Sequence, residues 1–256
     1  MSAPNSSLDF IIGGAPRSGT TFLATALDLH PDIWMLKPYV PEPKIFNLPP
    51  EKSSVAYQEE IASRLRDRPV GKLAGEKTSG YFSSEIALRR IVATLPAVKM
   101  VFILREPVER AYSNYLWSRK NGLEKLSFAE ACDCEDTRPD PLPPEKAYVR
   151  PYDYLSRGRY GTYARRWVEA VGRERVLFLQ YEQLAVSPER LLVRLEDFLG
   201  VRRWPLPAAD LGRINVSDPA AEPLPPELRA RLREFFADEV ESFAKLTGED
   251  ISLWKY

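Results

Sequence analysis

Leu8-Asp-Phe-Ile-Ile-Gly-Gly-Ala-Pro-Arg-Ser-Gly-Thr-Thr-Phe-Leu-Ala-Thr-Ala-Leu-Asp-Leu29 is the stretch whose reading decides the fold. Its first part, Leu8 to Ile12, is a short apolar run rich in β-formers, the pattern of a buried parallel strand. From Thr20 the apolar residues Phe22, Leu23, Ala26, Leu27 and Leu29 recur with a helical period. Glycines 13, 14 and 19 lie between the two. A glycine loop joining a strand to a helix offers backbone N–H groups and a helix N-terminus to a phosphate. Against the P-loop pattern G-x-x-x-x-G-K-[ST], Gly14 to Thr21 fits at both glycines and at Thr21, but Thr20 stands where the lysine belongs. Cleavage of a nucleoside triphosphate needs that lysine and a strand-end carboxylate for Mg²⁺. Here the cation lies inside the loop, as Arg17. The loop is predicted to bind a phosphate and is poorly equipped for metal-assisted cleavage.

The 256 residues suffice for one large α/β domain or two small ones. Lys+Arg and Asp+Glu both number 36, so nothing in the net charge points to nucleic acid. The short polar N-terminus does not read as a signal peptide, and no stretch approaches transmembrane length. Cys132 and Cys134, one residue apart and far from the single histidine, His30, are not spaced as a zinc site or a disulfide framework. The expectation is a soluble, cytoplasmic chain. With one histidine, predicted to cap the first helix, histidine-based acid–base chemistry is close to excluded. A general base is expected to be a carboxylate.

Further along, Ile33–Leu36 reads as a short strand and Lys37–Pro50 as a proline-broken loop at its end, where α/β folds collect ligand sites. A helix is predicted over 51–68, a strand over 72–76, a helix capped by Ser84 over 85–95, and an apolar strand over 98–104. That last strand ends in Arg105, not in a Mg²⁺-binding aspartate, and Pro107 then suits a first helical turn. Residues 137–151 read as a proline-rich loop walling a cleft. A helix over 153–171 carries Arg157, Arg159, Tyr160, Arg165, Arg166 and Trp167, a charge stripe that reads as a solvated face. A strand over 176–180 follows, then a helix opened by Ser187 and Pro188 and closed by Gly200, and a last helix over 226–246. The alternation argues a single α/β domain, a P-loop-type parallel sheet with helices on both faces and its site at the strand C-termini.

Taken together, these motifs resemble the sulfotransferases that use 3′-phosphoadenosine 5′-phosphosulfate. The similarity is to the heparan-sulfate, tyrosylprotein and bacterial small-molecule branch. Ala15–Thr21 resembles the family's 5′-phosphosulfate loop, Arg105–Asn114 its 3′-phosphate motif, and Glu76-Lys-Thr-Ser-Gly-Tyr-Phe82 its Glu-Lys-Ser-x-x-Tyr-Phe segment. Glu42-Pro-Lys-Ile-Phe-Asn47 resembles the segment that carries the base, and Arg157–Gly161, Trp167 and Glu182–Gly200 resemble the tail of the domain. The likeness is strongest over residues 8–202 of a domain taken as 8–256. It implies that Pro16, Arg17, Ser18, Gly19, Thr20, Thr21, Arg105 and Ser113 bind the nucleotide. Arg17 replaces a lysine common in the family, as in the tyrosylprotein branch. No Lys-Gly-Arg loop is evident near the C-terminus, and Arg213, Asn215 and Ser217 are its stand-ins.

The resemblance implies transfer of a sulfuryl group to a hydroxyl, or an amine, of a small-molecule, lipid or carbohydrate acceptor, with no metal required. Adenosine 3′,5′-bisphosphate is then the product. Such a transfer moves an electrophile between in-line oxygens, so catalysis is mostly positioning and charge stabilisation. Arg17 suits the leaving phosphate, Glu42 the acceptor's proton, and Lys77 the sulfuryl oxygens. Two rivals are a P-loop kinase of a nucleoside or small molecule and a nucleotide-binding protein without chemistry. Thr20 in the lysine position argues against the first, and Arg17, Glu42 and Lys77 together against the second.

Overall fold

The computed structural model describes residues 6–205 and 223–254. The apolar run becomes strand β1 (Phe10–Gly14), and the period-3.6 stretch becomes helix α1 (Thr20–Asp28). Four more strands follow: β2 (Ile33–Met35), β3 (Leu73–Lys77), β4 (Lys99–Leu104) and β5 (Val176–Gln180). All pair in parallel, in the order β2-β3-β1-β4-β5. The C-termini of all five strands therefore lie at one edge. Ile12 is level with Lys77 of β3, and Gly14 with Phe102 of β4.

Side chains on these strands alternate between two cores, as the pleat requires. Phe10, Ile12, Val101, Ile103, Leu177 and Leu179 pack on one face against α1 and α8 (Pro188–Leu199). Ile11, Met100, Phe102, Leu104, Val176 and Phe178 face the other side. There they meet α2 (Ser54–Arg64), α3 (Glu85–Thr94), α4 (Pro107–Lys120), α6 (Tyr160–Val171) and α9 (Pro226–Thr247). Short helices α5 (Phe128–Asp133) and α7 (Gln183–Val186), absent from the sequence reading, complete the chain order. Among the described residues no helix is long and apolar enough to cross a membrane.

Most punctuation behaves as its chemistry dictates. Ser84 accepts the Ala87 N–H as an N-cap, Pro107 opens α4, and Gly200 and Gly248 end α8 and α9 in the left-handed conformation. Four expectations are corrected. The helix over 153–171 begins only at Tyr160, because the Glu135 carboxylate accepts the Leu155 and Ser156 N–H groups and holds 153–159 in turns. Arg157, Tyr160 and Trp167 are buried, while Arg159, Arg165 and Arg166 are exposed, so the arginine stripe is a solvated face only in part. Ser187 makes no side-chain cap; it closes α7, and its N–H donates to Gln183 O. His30 does not cap α1 with its ring. Nδ1 accepts the Asp32 N–H at 3.1 Å, so Nε2 is the donor to Arg202 O at 3.0 Å, and the buried imidazole is a neutral brace.

Phe102 lies at the centre of the larger core, its ring 4.8 Å from Phe82, 5.1 Å from Trp167 and 5.8 Å from Phe178. Phe102→Ala is expected to cost about 3–5 kcal/mol, the range for truncating a buried aromatic. Urea denaturation reads this as a lower midpoint with an unchanged slope.

Candidate active site

At the C-terminal edge of the sheet a cavity of about 440 Å³ opens between the loops that leave β1, β3, β4 and β5. Its floor is the β1–α1 loop. Pro16, Arg17, Gly19, Thr20 and Thr21 line it, and Ser18 lies behind them, fully buried, with no partner for its Oγ among the described residues. Gly19 has φ +86°, and a Cβ there would come within 3.0 Å of Leu184 and Tyr181, so the turn into α1 needs glycine on both counts. Among the described residues no side chain caps the N-terminus of α1, and no acidic residue lies in its first turn. Its leading N–H groups and positive dipole end are thus left to an anion.

Two guanidinium groups flank this loop. Arg17 donates from Nε to Ser113 Oγ at 3.2 Å, and among the described residues no carboxylate pairs with it. Burial, and then the charge of Arg105, push its pKa below the ordinary value. Arg105 leaves the end of β4, lies over the Tyr181 ring at 5.0 Å, and reaches Glu109 at 3.4 Å. Arginine beside arginine in a half-buried cavity fits an anionic group and little else. The residues present therefore fit a phosphorylated ligand, with the uncapped helix and Arg17 on one side and Arg105 on the other. Ser113 itself is buried behind Arg17 and does not line the cavity.

The neighbouring wall carries the carboxylate. Lys77, the last residue of β3, is nearly buried, and its Nζ lies 2.9 Å from Glu42 Oε1, 3.1 Å from Thr21 Oγ1 and 3.4 Å from Tyr39 O. Glu42 Oε1 also accepts the Ser79 N–H at 3.1 Å. Behind this pair, Glu76 is fully buried. Burial pushes its carboxyl up to about 8, against the pull of the Thr78 hydroxyl, and the Glu42 charge adds to the rise. Arg213, Asn215 and Ser217 lie outside the described residues.

The structure thus brings Arg17, Glu42, Lys77, Arg105, Thr20 and Thr21 to one cavity. It also adds residues that the sequence reading missed. Tyr181 directly follows β5, and its strand-end position was the available signal. Trp117 lies one helical turn beyond Ser113 on α4 and shares its face of the helix. Of the proline-rich segment only Tyr148 and Val149 reach the cavity, from a 3₁₀ turn over Pro144–Val149. Arg157 reaches it too, and donates to Val149 O at 2.9 Å.

Comparison with known proteins agrees with this geometry. The sulfotransferase domain description matches residues 7–205. The chain belongs to the sulfotransferase family. The family generally uses 3′-phosphoadenosine 5′-phosphosulfate, and the chain is a sulfotransferase that moves a sulfuryl group to a hydroxyl or amine. Nothing favours the kinase reading. Human heparan sulfate glucosamine 3-O-sulfotransferase 6 is 28% identical over 94% of this chain and 72% of its own length. The bifunctional heparan sulfate N-deacetylase/N-sulfotransferase 1 of Xenopus laevis is 28% identical over 82% of this chain, which spans only 23% of that relative. A solved sulfotransferase from Alicyclobacillus acidocaldarius aligns with a TM-score of 0.75 at 27% identity, covering 98% of this chain and 99% of that one. Mouse sulfotransferase SULT7A1, solved in complex with PAP, shares the fold at a TM-score of 0.56 and 17% identity, over 91% of this chain and 85% of that one.

Glu76 makes the site's pH response specific. Its folded-state pKa of about 8 lies above the ordinary 4.5, so the folded chain holds a proton that the unfolded chain releases. The resulting stability is complete below about 4.5 and is lost as pH rises through about 8. The charged or titratable groups facing it are Glu42, Lys77 and Tyr81. Glu76→Gln removes the ionisation and keeps the shape. Relative to wild type, its urea midpoint is expected to climb between pH 5 and 8, and a flat difference would contradict the shift.

Proposed function

We propose that the chain sulfates a hydroxyl of a carbohydrate, lipid or other small molecule, with Glu42 as base and Arg17 and Lys77 as the charges that stabilise transfer. One observation carries this reading: a carboxylate–ammonium pair, Glu42 and Lys77, shares a cavity with Arg105 and with Arg17, which pairs with no carboxylate among the described residues. When bound, 3′-phosphoadenosine 5′-phosphosulfate supplies an electrophilic sulfur whose leaving group is the 5′-phosphate of adenosine 3′,5′-bisphosphate. Arg17 and the amides opening α1 hold the 5′ side and take up the charge that grows on the bridging oxygen. Arg105, braced by Tyr181, holds the 3′-phosphate, while Ser113, behind Arg17, accepts from that guanidinium and orients it. These cations belong to the chain itself, and the reading asks for no metal.

On the acceptor side Glu42 removes the hydroxyl proton as the oxygen bonds to sulfur. Its Oε1 is occupied by Lys77 and Ser79, and its Oε2 has no partner among the described residues. A base matters most for a hydroxyl, since a neutral amine attacks through its lone pair and sheds its proton afterwards. That favours O-sulfation, although the relatives include both a 3-O-sulfotransferase and an N-sulfotransferase by name. The carbohydrate class follows those names, and Trp117, Tyr148 and Val149, which also line the cavity, equally suit an apolar body.

Glu42→Gln is expected to leave binding of adenosine 3′,5′-bisphosphate intact and to lower kcat about 10²–10⁴-fold. A phenolic acceptor of low pKa, which needs little help losing its proton, should restore part of this rate and none of the rate lost in Arg17→Ala. Equal rescue of both variants would overturn the division of roles. For the 3′-phosphate, the bisphosphate should raise the melting temperature of the wild type more than AMP does. Arg105→Ala should erase that difference, a loss of about 1.5–3 kcal/mol. Equal stabilisation of the wild type by AMP would remove Arg105 from this role.

A further inference from the structure

The loop that carries Glu42 has little regular structure of its own, yet its backbone is fixed at two points by hydroxyl groups. The Lys44 N–H donates to Thr78 Oγ1 at 3.0 Å, and the Phe46 N–H donates to Tyr81 Oη at 3.2 Å. Each hydroxyl then has its own proton to place. Thr78 donates to Glu76 Oε1 at 2.5 Å and Tyr81 to the same oxygen at 3.5 Å. An amide N–H cannot accept, so each hydroxyl accepts from the loop; its own proton is then free to donate inward, where one carboxyl oxygen lies within reach of both.

Glu76 is poorly explained by packing alone. It sits wholly buried at the end of β3, with its second oxygen, Oε2, unpartnered among the described residues. A buried acid in that position is costly unless its acceptor oxygen is needed. It faces away from solvent, while Lys77, the next residue along the strand, reaches the cavity. Alternation along β3 therefore sends one residue to the chemistry and its neighbour to the loop's anchor. Tyr81 is fully buried and does not line the cavity, so its hydroxyl has no ligand to serve.

We propose that Glu76 is a positioning residue, whose buried carboxyl acts through the Thr78 and Tyr81 hydroxyls to fix the Lys44 and Phe46 amides and so hold Glu42 against the cavity. This rests on Glu42 being the base, as proposed above. What the two hydroxyls require of Glu76 is an acceptor oxygen, and burial, which pushes its carboxyl up to about 8, keeps a second negative charge away from Glu42 near pH 7.

The test uses Tyr81→Phe and Thr78→Val, which delete one hydroxyl each at nearly constant volume, with Glu42→Gln as reference. Amide hydrogen exchange of the ligand-free protein is the first readout. Exchange at Phe46 is expected to quicken about tenfold or more in Tyr81→Phe, and exchange at Lys44 likewise in Thr78→Val. Each variant should also lose about tenfold or more in kcat, with the Kd for adenosine 3′,5′-bisphosphate within about twofold of wild type. Thr78→Ser, which returns the hydroxyl, should recover most of the rate and the protection. Unchanged exchange, an unchanged kcat beside released amides, or a nucleotide affinity that falls in step with kcat in Tyr81→Phe would overturn the proposal. The reference separates the two readings. A fully active Glu42→Gln overturns the base and this inference with it, whereas a fully active Tyr81→Phe beside an inactive Glu42→Gln overturns the anchoring alone.

Discussion

The pairing of β1 with β3 on one side and β4 on the other is the constraint on which the site depends. Because all three run parallel, the loop after β1 must emerge between the ends of its neighbours. The ladder continues past the strands: Thr78 N–H donates to Ile12 O at 3.1 Å, and Ala15 N–H to Ile103 O at 2.8 Å. Lys77 and Arg105, far apart in sequence, are thereby set on either side of Arg17. A slip of one residue in either pairing would turn Lys77 or Leu104 to the opposite face and dismantle both the core and the cavity.

The charges so assembled are unequal in character. Glu42 and Lys77 neutralise each other, whereas Arg17 and Arg105 stand together with Glu109 as the one carboxylate paired with either among the described residues, and that carboxylate also serves Arg229 of α9. Burying an unpaired guanidinium costs free energy that the fold must supply from its cores. The depressed pKa of Arg17 records that cost. An anionic ligand relieves it by replacing repulsion with paired, charge-assisted hydrogen bonds. The cavity thus sets surplus positive charge at the β1–α1 loop, suited to a phosphorylated nucleotide, beside a carboxylate–ammonium pair, suited to an uncharged hydroxyl.

Much of this was legible in the chain because it is written locally. Strand, glycine loop and helix follow one another between Leu8 and Leu29, Arg105 ends an apolar run, and Glu42 lies among prolines at another strand end. What was not legible depends on partners distant in sequence. Arg157 looks like one more surface arginine until Val149 and the turns held by Glu135 enclose it. His30 looks like a helix cap until Arg202 O comes within reach of its ring. The start of α6 was misplaced for the same reason, since a carboxylate from α5's far end takes the amides that a helix would have used. Local periodicity reports which face a residue occupies, and not which polar group will meet it there.

The resting contact between Glu42 and Lys77 bears on how the proposed reaction is ordered. Lys77 has a side chain only 4% exposed, and Glu42 19%, so neither is well solvated alone. Removing one partner of such a pair without replacement is costly, commonly about 3–5 kcal/mol. Deprotonating an acceptor neutralises Glu42 and would leave Lys77 in that position. Sulfuryl oxygens seated at the β1–α1 loop remove the difficulty, because Thr21 Oγ1 already places Nζ beside that loop. Lys77 can then exchange a carboxylate for those oxygens without losing a negative partner. The proton transfer to Glu42 is cheap only with the donor in place, which ties the basicity of the site to the presence of the group it is meant to move.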